Sequence, residues 1–448
     1  MNKRYLSFLF GMGLSVLSMN AAIIKVAVNN PTPKTKVILK FLDSEKKEFA
    51  VDANGNGMID LKNFTPQYVT LQYGNSTRTV YLDPKADLSM SFEGKRMWKA
   101  ISFTGAGAAV NNYLNSGKLK QAYYEESKLG EKAYIKTADS LYHANLKVLS
   151  STKLPASFVK VEKNRLKYFS YANFPLYTMF HAYMNKVENY QVSENYYSRL
   201  KGLVDINPDF LAFAEYREFI INAISTLGLH GSSYNDMLDL LKVQLKYVKE
   251  NISNPTVREY LVSTVTYNYV KRNGVDHAEL AIEAFNTYVK DAKMKSKFNE
   301  VYNSWKKISV GQSSPVFSCE DINGKTVALS QLKGKYIYID IWATWCAPCR
   351  GELPHLKKLE EQYRGKDIEF VSLSCDQNKS AWQKMVAKEN LKGVQLYLGT
   401  GSKFMNDYMV SGIPRFILLD KDGKIISANM SRPSDPATAQ KFNELLGL

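Results

Sequence analysis

The chain has 448 residues, 45% of them hydrophobic, 12% aromatic and 23% charged, with a formal net charge of +16. That length fits about three domains, and the apolar share excludes disorder and collagen-like repeats. The excess of Lys and Arg is spread along the whole chain with no recognition motif beside it, so it reads as a basic solvated surface and not as a nucleic-acid site.

Residues 1–22 have the layout of a secretory signal peptide. Asn2-Lys3-Arg4 is a short positive region, Tyr5 to Met19 is uncharged and mostly apolar, and Asn20-Ala21-Ala22 supplies small residues for cleavage. The apolar stretch is shorter than the ~20 residues of a spanning helix, which argues against a membrane anchor. No cysteine follows it, and no second segment of that length is uniformly apolar. The expected mature chain is exported, periplasmic and without an integral membrane segment. Disulfides form and persist in such a compartment.

Residues 23–105 read as a small antiparallel β-sandwich. Lys36 to Phe41, Tyr68 to Tyr73, Arg78 to Leu82 and Leu88 to Phe92 alternate or cluster β-branched and aromatic residues. Asn54-Gly55-Asn56-Gly57, Gly74-Asn75 and Asp83-Pro84 supply turns between them. No catalytic constellation falls in this part.

Residues 106–308 read as an all-α domain of seven or eight helices, entered through Gly105-Ala106-Gly107-Ala108. Met237, Leu240, Leu241, Leu245 and Val248 recur at helical spacing. Breaks fall at Leu154-Pro155, Asn207-Pro208, Leu227 to Ser233, Asn254-Pro255 and Asn273-Gly274, the Asn-Pro pairs fitting helix starts. Tyr168, Phe169, Tyr171, Phe174, Tyr177, Phe180 and Tyr183 form an aromatic stripe near one helix face, expected to be core in preference to a binding groove. His143, His181, His230 and His277 have no metal-like spacing and are taken as structural or exposed.

Residues 309–448 alternate strands and helices, the pattern of an α/β domain with a mixed sheet. A hairpin runs from Pro315 to Leu329 with its turn at Asn323-Gly324. Strands are expected at Tyr336 to Trp342, Ile368 to Ser374, Val394 to Leu398, Arg415 to Leu419 and Lys424 to Ala428. Helices are expected at Cys346 to Arg364, Ala381 to Glu389 and Pro436 to Leu446. All four cysteines, Cys319, Cys346, Cys349 and Cys375, lie in this part, too few for a disulfide framework.

The chemistry is concentrated at Trp342-Ala343-Thr344-Trp345-Cys346-Ala347-Pro348-Cys349-Arg350-Gly351-Glu352-Leu353-Pro354. This segment leaves a buried strand and opens a helix. Free N–H groups and the dipole at a helix start favour a thiolate, which makes Cys346 the nucleophile. Cys349, one turn on and more buried, resolves the mixed disulfide. Half of a zinc site would need two further ligands near the pair, and a purely structural disulfide would not call for a helix start.

The segment resembles the active site of the thioredoxin superfamily, and most closely the exported thiol–disulfide oxidoreductases of the TlpA and ResA families, over about residues 310–448. The β-domain and helices before it resemble multidomain proteins of Bacteroidetes-type bacteria. The resemblance implies further roles. Asp340, six residues before Cys346, sits beneath the resolving cysteine and accepts its proton. Glu352, three residues after Cys349, either matches a carboxylate held close to the pair or is an exposed first-turn acid. Ile413-Pro414 forms a cis bond facing the disulfide, and Trp345, Ile413 and Pro414 contact the partner chain. Cys319 and Cys375 form a second disulfide if their strands are neighbours, with Cα atoms within about 7 Å, and otherwise remain two buried thiols.

The expected activity is reduction of disulfides in exported partner proteins, with a membrane-bound electron donor for recycling and no cofactor, metal or nucleic acid. Two alternatives stand beside it: a cytochrome c maturation reductase, and a binding protein whose redox pair senses a ligand. A peroxidase would want a Thr three residues before its cysteine, where Ala343 stands.

Overall fold

The structure is a computed structural model that describes residues 21–43, 45–97 and 99–448. Most of the expected signal peptide therefore lies outside the described residues; only its last two, Ala21 and Ala22, are seen, and they open the first strand. The chain divides into two compact units, one ending at Ser232 and one running from Ser233 to Leu448. Among the described residues no helix is long and apolar enough to cross a membrane.

The first unit begins with a two-sheet sandwich. Its strands are β1 (Ala21–Asn29), β2 (Val37–Lys40), β3 (Lys46–Phe49), β4 (Asn56–Lys62), β5 (Gln67–Tyr73), β6 (Ser76–Leu82), β7 (Leu88–Glu93) and β8 (Ile101–Thr104). They form sheets of order β4-β1-β7-β8 and β3-β2-β5-β6. The two-residue period of a strand puts Ala22, Ile24, Val26 and Val28 on one buried face. These meet Val37, Leu39, Leu71, Val80, Met90 and Phe92 in a single core between the sheets. One feature departs from the expected antiparallel sandwich: β1 pairs with β7 in parallel, Ile24 opposite Leu88 and Val28 opposite Phe92.

Six helices follow in this unit: α1 (Ala108–Leu114), α2 (Glu131–Ser150), α3 (Ala156–Ser170), α4 (Tyr177–Asn185), α5 (Glu194–Leu203) and α6 (Ala214–Leu229). A buried polar knot ties them to the sandwich. Arg165, 3% exposed, donates from Nε and Nη2 to both oxygens of Glu162 at 2.7 Å and pairs with Glu215. Tyr68 of β5 and Tyr113 of α1 donate to the same Glu162 at 2.6 and 3.1 Å. The aromatic stripe does not occupy one helix face. Pro175 opens a 3-10 turn at Phe174–Leu176 between α3 and α4, which redirects the chain. Tyr168, Tyr171, Phe174 and Tyr177 are core, whereas Tyr183 is exposed.

The second unit opens with α7 (Met237–Asn251), α8 (Pro255–Asn273), α9 (Glu279–Tyr288) and α10 (Ala292–Lys306). With these there are ten α-helices between Ala108 and Lys306, more than the seven or eight read from the sequence. Asn254 caps α8, its side chain accepting from Thr256 and Val257, with Pro255 in the first turn.

The rest of this unit is an α/β layer built from β9 (Ser318–Asp321), β10 (Thr326–Ala328), β11 (Tyr336–Trp342), α11 (Ala347–Gln362), β12 (Ile368–Ser374), α12 (Lys379–Glu389), β13 (Val394–Tyr397), α13 (Lys403–Asp407), β14 (Arg415–Leu419), β15 (Ile425–Met430) and α14 (Pro436–Leu446). The seven strands lie in the order β10-β9-β13-β12-β11-β14-β15. β11 lies inside the sheet, parallel to β12 and antiparallel to β14. Its near-continuous apolar run is what burial on both faces demands. Tyr338 of β11 packs with Leu356 and Leu359 of α11, with Tyr363 that caps its end, and with Phe442 of α14, which fixes α11 over one face of the sheet.

Candidate redox site

The site is built where β11 ends and α11 begins. Cys346 and Cys349 are joined, with S–S 2.01 Å and Cα–Cα 5.3 Å. Cys346 is the N-cap residue of α11, and its Sγ accepts from the Cys349 backbone N–H at 3.1 Å. An N–H directed at sulfur and the start of the helix dipole both favour negative charge there when the pair is reduced. The two cysteines are both buried, Cys346 being 4% and Cys349 2% exposed, while neighbouring Trp345 is 68% exposed. The exposed surface at this point is thus largely the indole and the Ala347-Pro348 turn.

Strand alternation places Asp340 on the same face of β11 as Tyr338, under α11. On that helix Cys349, Glu352, Leu356 and Leu359 are buried at helical spacing. Asp340 is 5% exposed, and its carboxyl is pushed up to about 8, first by burial and then by the charges of Glu352 and Glu360. Glu360 is itself pushed up to about 7 by burial. A carboxyl in this range can exchange a proton with a thiol near neutral pH, which an ordinary aspartate cannot.

Of the two readings of Glu352, the exposed one is excluded: the residue is 8% exposed. Its oxygens accept from the Ser434 backbone at 3.0 Å and the Ser434 hydroxyl at 2.9 Å, with Arg432 at 3.8 Å. It faces the loop before α14 and acts on Asp340 through its charge.

The Ile413-Pro414 bond is cis. Arg415 pairs with Ile341 in the β14–β11 register, so Pro414 continues the strand beside Trp342, at the end of β11 that leads to the cysteines. Of the two readings of Cys319 and Cys375, the structure has the second: they are free, buried thiols and form no disulfide. β13 lies between β9 and β12, so their strands are two spacings apart, ~9.5 Å, beyond the ~7 Å reach of a disulfide. Burial pushes both thiols up to about 11.

Sequence reasoning missed Asp376, which follows β12 and is 2% exposed. Its carboxylate accepts from the Thr344 backbone at 3.0 Å, the Thr344 hydroxyl at 2.7 Å and the Ser374 hydroxyl at 2.8 Å. Thr344 lies two residues before the nucleophile, so Asp376 holds the loop that delivers Cys346. The only signal in the sequence was an acidic residue two positions after a buried strand.

Residues 309–446 match the family model described as Redoxin. The chain is 34% identical over 120 residues to the thiol-disulfide oxidoreductase ResA of Bacillus anthracis, covering 27% of this chain and 69% of that one. With ResA of Bacillus subtilis it shares 30% over 129 residues, covering 29% and 72%. Among solved structures, a Bacteroides vulgatus protein provisionally named a thiol-disulfide oxidoreductase is 71% identical, covering 31% of this chain and 91% of that one, with a TM-score of 0.29. A thiol-disulfide oxidoreductase from Bacteroides fragilis is 28% identical, covering 30% and 100%, with a TM-score of 0.28.

Proposed function

The chain belongs to the ResA-type thiol–disulfide oxidoreductase family, and from that premise we propose that it reduces disulfides of exported partner proteins through Cys346 and Cys349. The observation that carries this reading is the joined pair at the start of α11 with a buried carboxyl, Asp340, titrating near 8 beneath the same helix.

The cycle begins when the Cys346 thiolate attacks one sulfur of the partner disulfide, and the other partner sulfur leaves as a thiolate that takes up a proton. Trp345 and the Ile413-Pro414 segment hold the partner chain, the Ile413 backbone pairing with it in β fashion. Cys349 gives its proton to ionised Asp340 and attacks the Cys346 sulfur. The second partner sulfur leaves and is protonated, and the Cys346–Cys349 disulfide closes. Two electrons have passed to the partner. A membrane-bound donor returns two electrons and two protons to the pair.

Only a minority of Asp340 is ionised at neutral pH, so the resolving step quickens as pH rises through 8. In recharging, protonated Asp340 serves the opposite end and supplies a proton to the Cys349 leaving group.

Insulin reduction tests the assignment. Cys346→Ser is expected to abolish it, and persistent activity in that variant would refute the nucleophile. Cys349→Ala is expected to accumulate mixed disulfides, whose mass spectra name the partners. An apocytochrome among them would turn the reading toward cytochrome c maturation.

A further inference from the structure

The groove between α11 and α12 begins where the redox pair ends. A cavity of about 400 Å³ is lined by Ala347, Arg350, Gly351 and Pro354 of α11 and by Met385 and Lys388 of α12. Ala347 lies between the two cysteines, so the cavity opens directly beside the redox pair.

Gly351 is a residue that packing does not explain. It lies inside α11, where glycine is less stable than alanine. A Cβ built on it meets no atom within 4 Å, and its φ is not in the left-handed region. Neither crowding nor backbone strain asks for glycine here. Its effect is to leave the floor of the groove open. The walls are cationic. Arg350 and Lys388 are both exposed. Lys357, also on the rim, donates to the Glu389 carbonyl at 2.7 Å and leaves that residue's carboxylate as the one anion among three cations.

We propose that this groove docks the partner chain on one side of its disulfide and selects an extended segment with acidic residues next to the attacked cysteine. The open floor takes the backbone, Pro354 and Met385 give it an apolar base, and Arg350 and Lys388 bind the carboxylates. This rests on the reading of the pair as a reductant of partner disulfides.

The test uses the reduced full-length protein and three disulfide peptides that differ only beside the cysteine, carrying Glu, Gln or Lys there. The wild type is expected to prefer the Glu peptide over the Gln peptide by about fivefold in kcat/KM at low salt, the size of a partly exposed ion pair. That preference is expected to fade near about 0.5 M salt. Lys388→Glu is expected to shift the preference to the Lys peptide, a gain that misfolding cannot produce. Gly351→Leu, whose Cβ meets no atom within 4 Å and whose side chain extends into the groove, is expected to raise KM for all three. Equal use of the Glu and Gln peptides by the wild type, or a Glu preference that survives Lys388→Glu, would overturn the docking site. Failure to reduce any peptide would instead overturn the reductase reading beneath it.

Discussion

Asp340→Asn removes a carboxyl whose anion the fold cannot solvate. In the disulfide form the Asp340 carboxyl titrates near 8 in place of 3.8, because burial opposes its anion and the Glu352 and Glu360 carboxylates add to that opposition. At acid pH the folded and unfolded chains both hold the proton. Between about 4 and 8 the unfolded chain has released it and the folded chain has not, so stability falls as pH rises through this window and is level above it. At 1.36 kcal/mol per pH unit, the full displacement is worth at most about 6 kcal/mol. The asparagine variant carries no such penalty. Urea unfolding of both disulfide forms can be followed by fluorescence, since four of the five tryptophans lie between Ser233 and Leu448. The variant is expected to exceed the wild type by several kcal/mol near pH 9 and by almost nothing near pH 4. It is also expected to lose the rise in resolving rate through pH 8, and to resolve mixed disulfides about 100-fold more slowly. Parallel loss of stability in the two proteins across that window would refute the argument, since the titrating group would then lie elsewhere.

Glu352→Gln keeps acceptors for Ser434 but removes the anion that opposes Asp340; the inflection of the resolving rate is expected to move below pH 8 in the same rapid-mixing profile. Asp376→Ala strips the partners from Thr344 and Ser374 and is expected to cost about 1–3 kcal/mol in urea unfolding. Because Thr344 leads into the nucleophile, the variant should also change the alkylation rate of reduced Cys346, a readout that a distant stability loss would not move. Arg165→Met leaves Glu162 buried without its cation and is expected to destabilise the first unit by about 3–5 kcal/mol, read from its own urea transition.

The redox centre was legible because its signals are local. A strand of Ile, Tyr and Trp, a helix start and Trp-Cys-Ala-Pro-Cys lie within fourteen residues, Tyr336 to Cys349. The hairpin at Asn323-Gly324 and the helix from Pro436 were legible for the same reason, each carrying its own turn or cap. What failed depended on distant partners. Asp376 matters through Thr344, thirty-two residues earlier, and no spacing rule connects them. The pairing of Cys319 with Cys375 was excluded by a third strand, β13, inserted between theirs. In the sandwich, β1 escaped notice because its residues abut the apolar signal-like stretch and extend the same character. β3, with three charged or polar residues in Lys46–Phe49, carries almost no strand signal and is set by pairing to β2.

The parallel pairing of β1 with β7 bears on how the chain is made. Of the described strands β1 leaves the ribosome first, and its antiparallel neighbour β4 is complete at Lys62. Its opposite edge stays bare until Glu93 has emerged, about 2 to 6 seconds later at ~5–20 residues per second. Throughout that interval Ile24, Val26 and Val28 lack both β7 and the Met90 and Phe92 side chains that complete their core. An unpaired apolar edge is a template for association with other nascent chains. Within the sandwich, the earliest described strand is thus among the last to be sealed, and whatever escorts this nascent polypeptide has most to shield around β1.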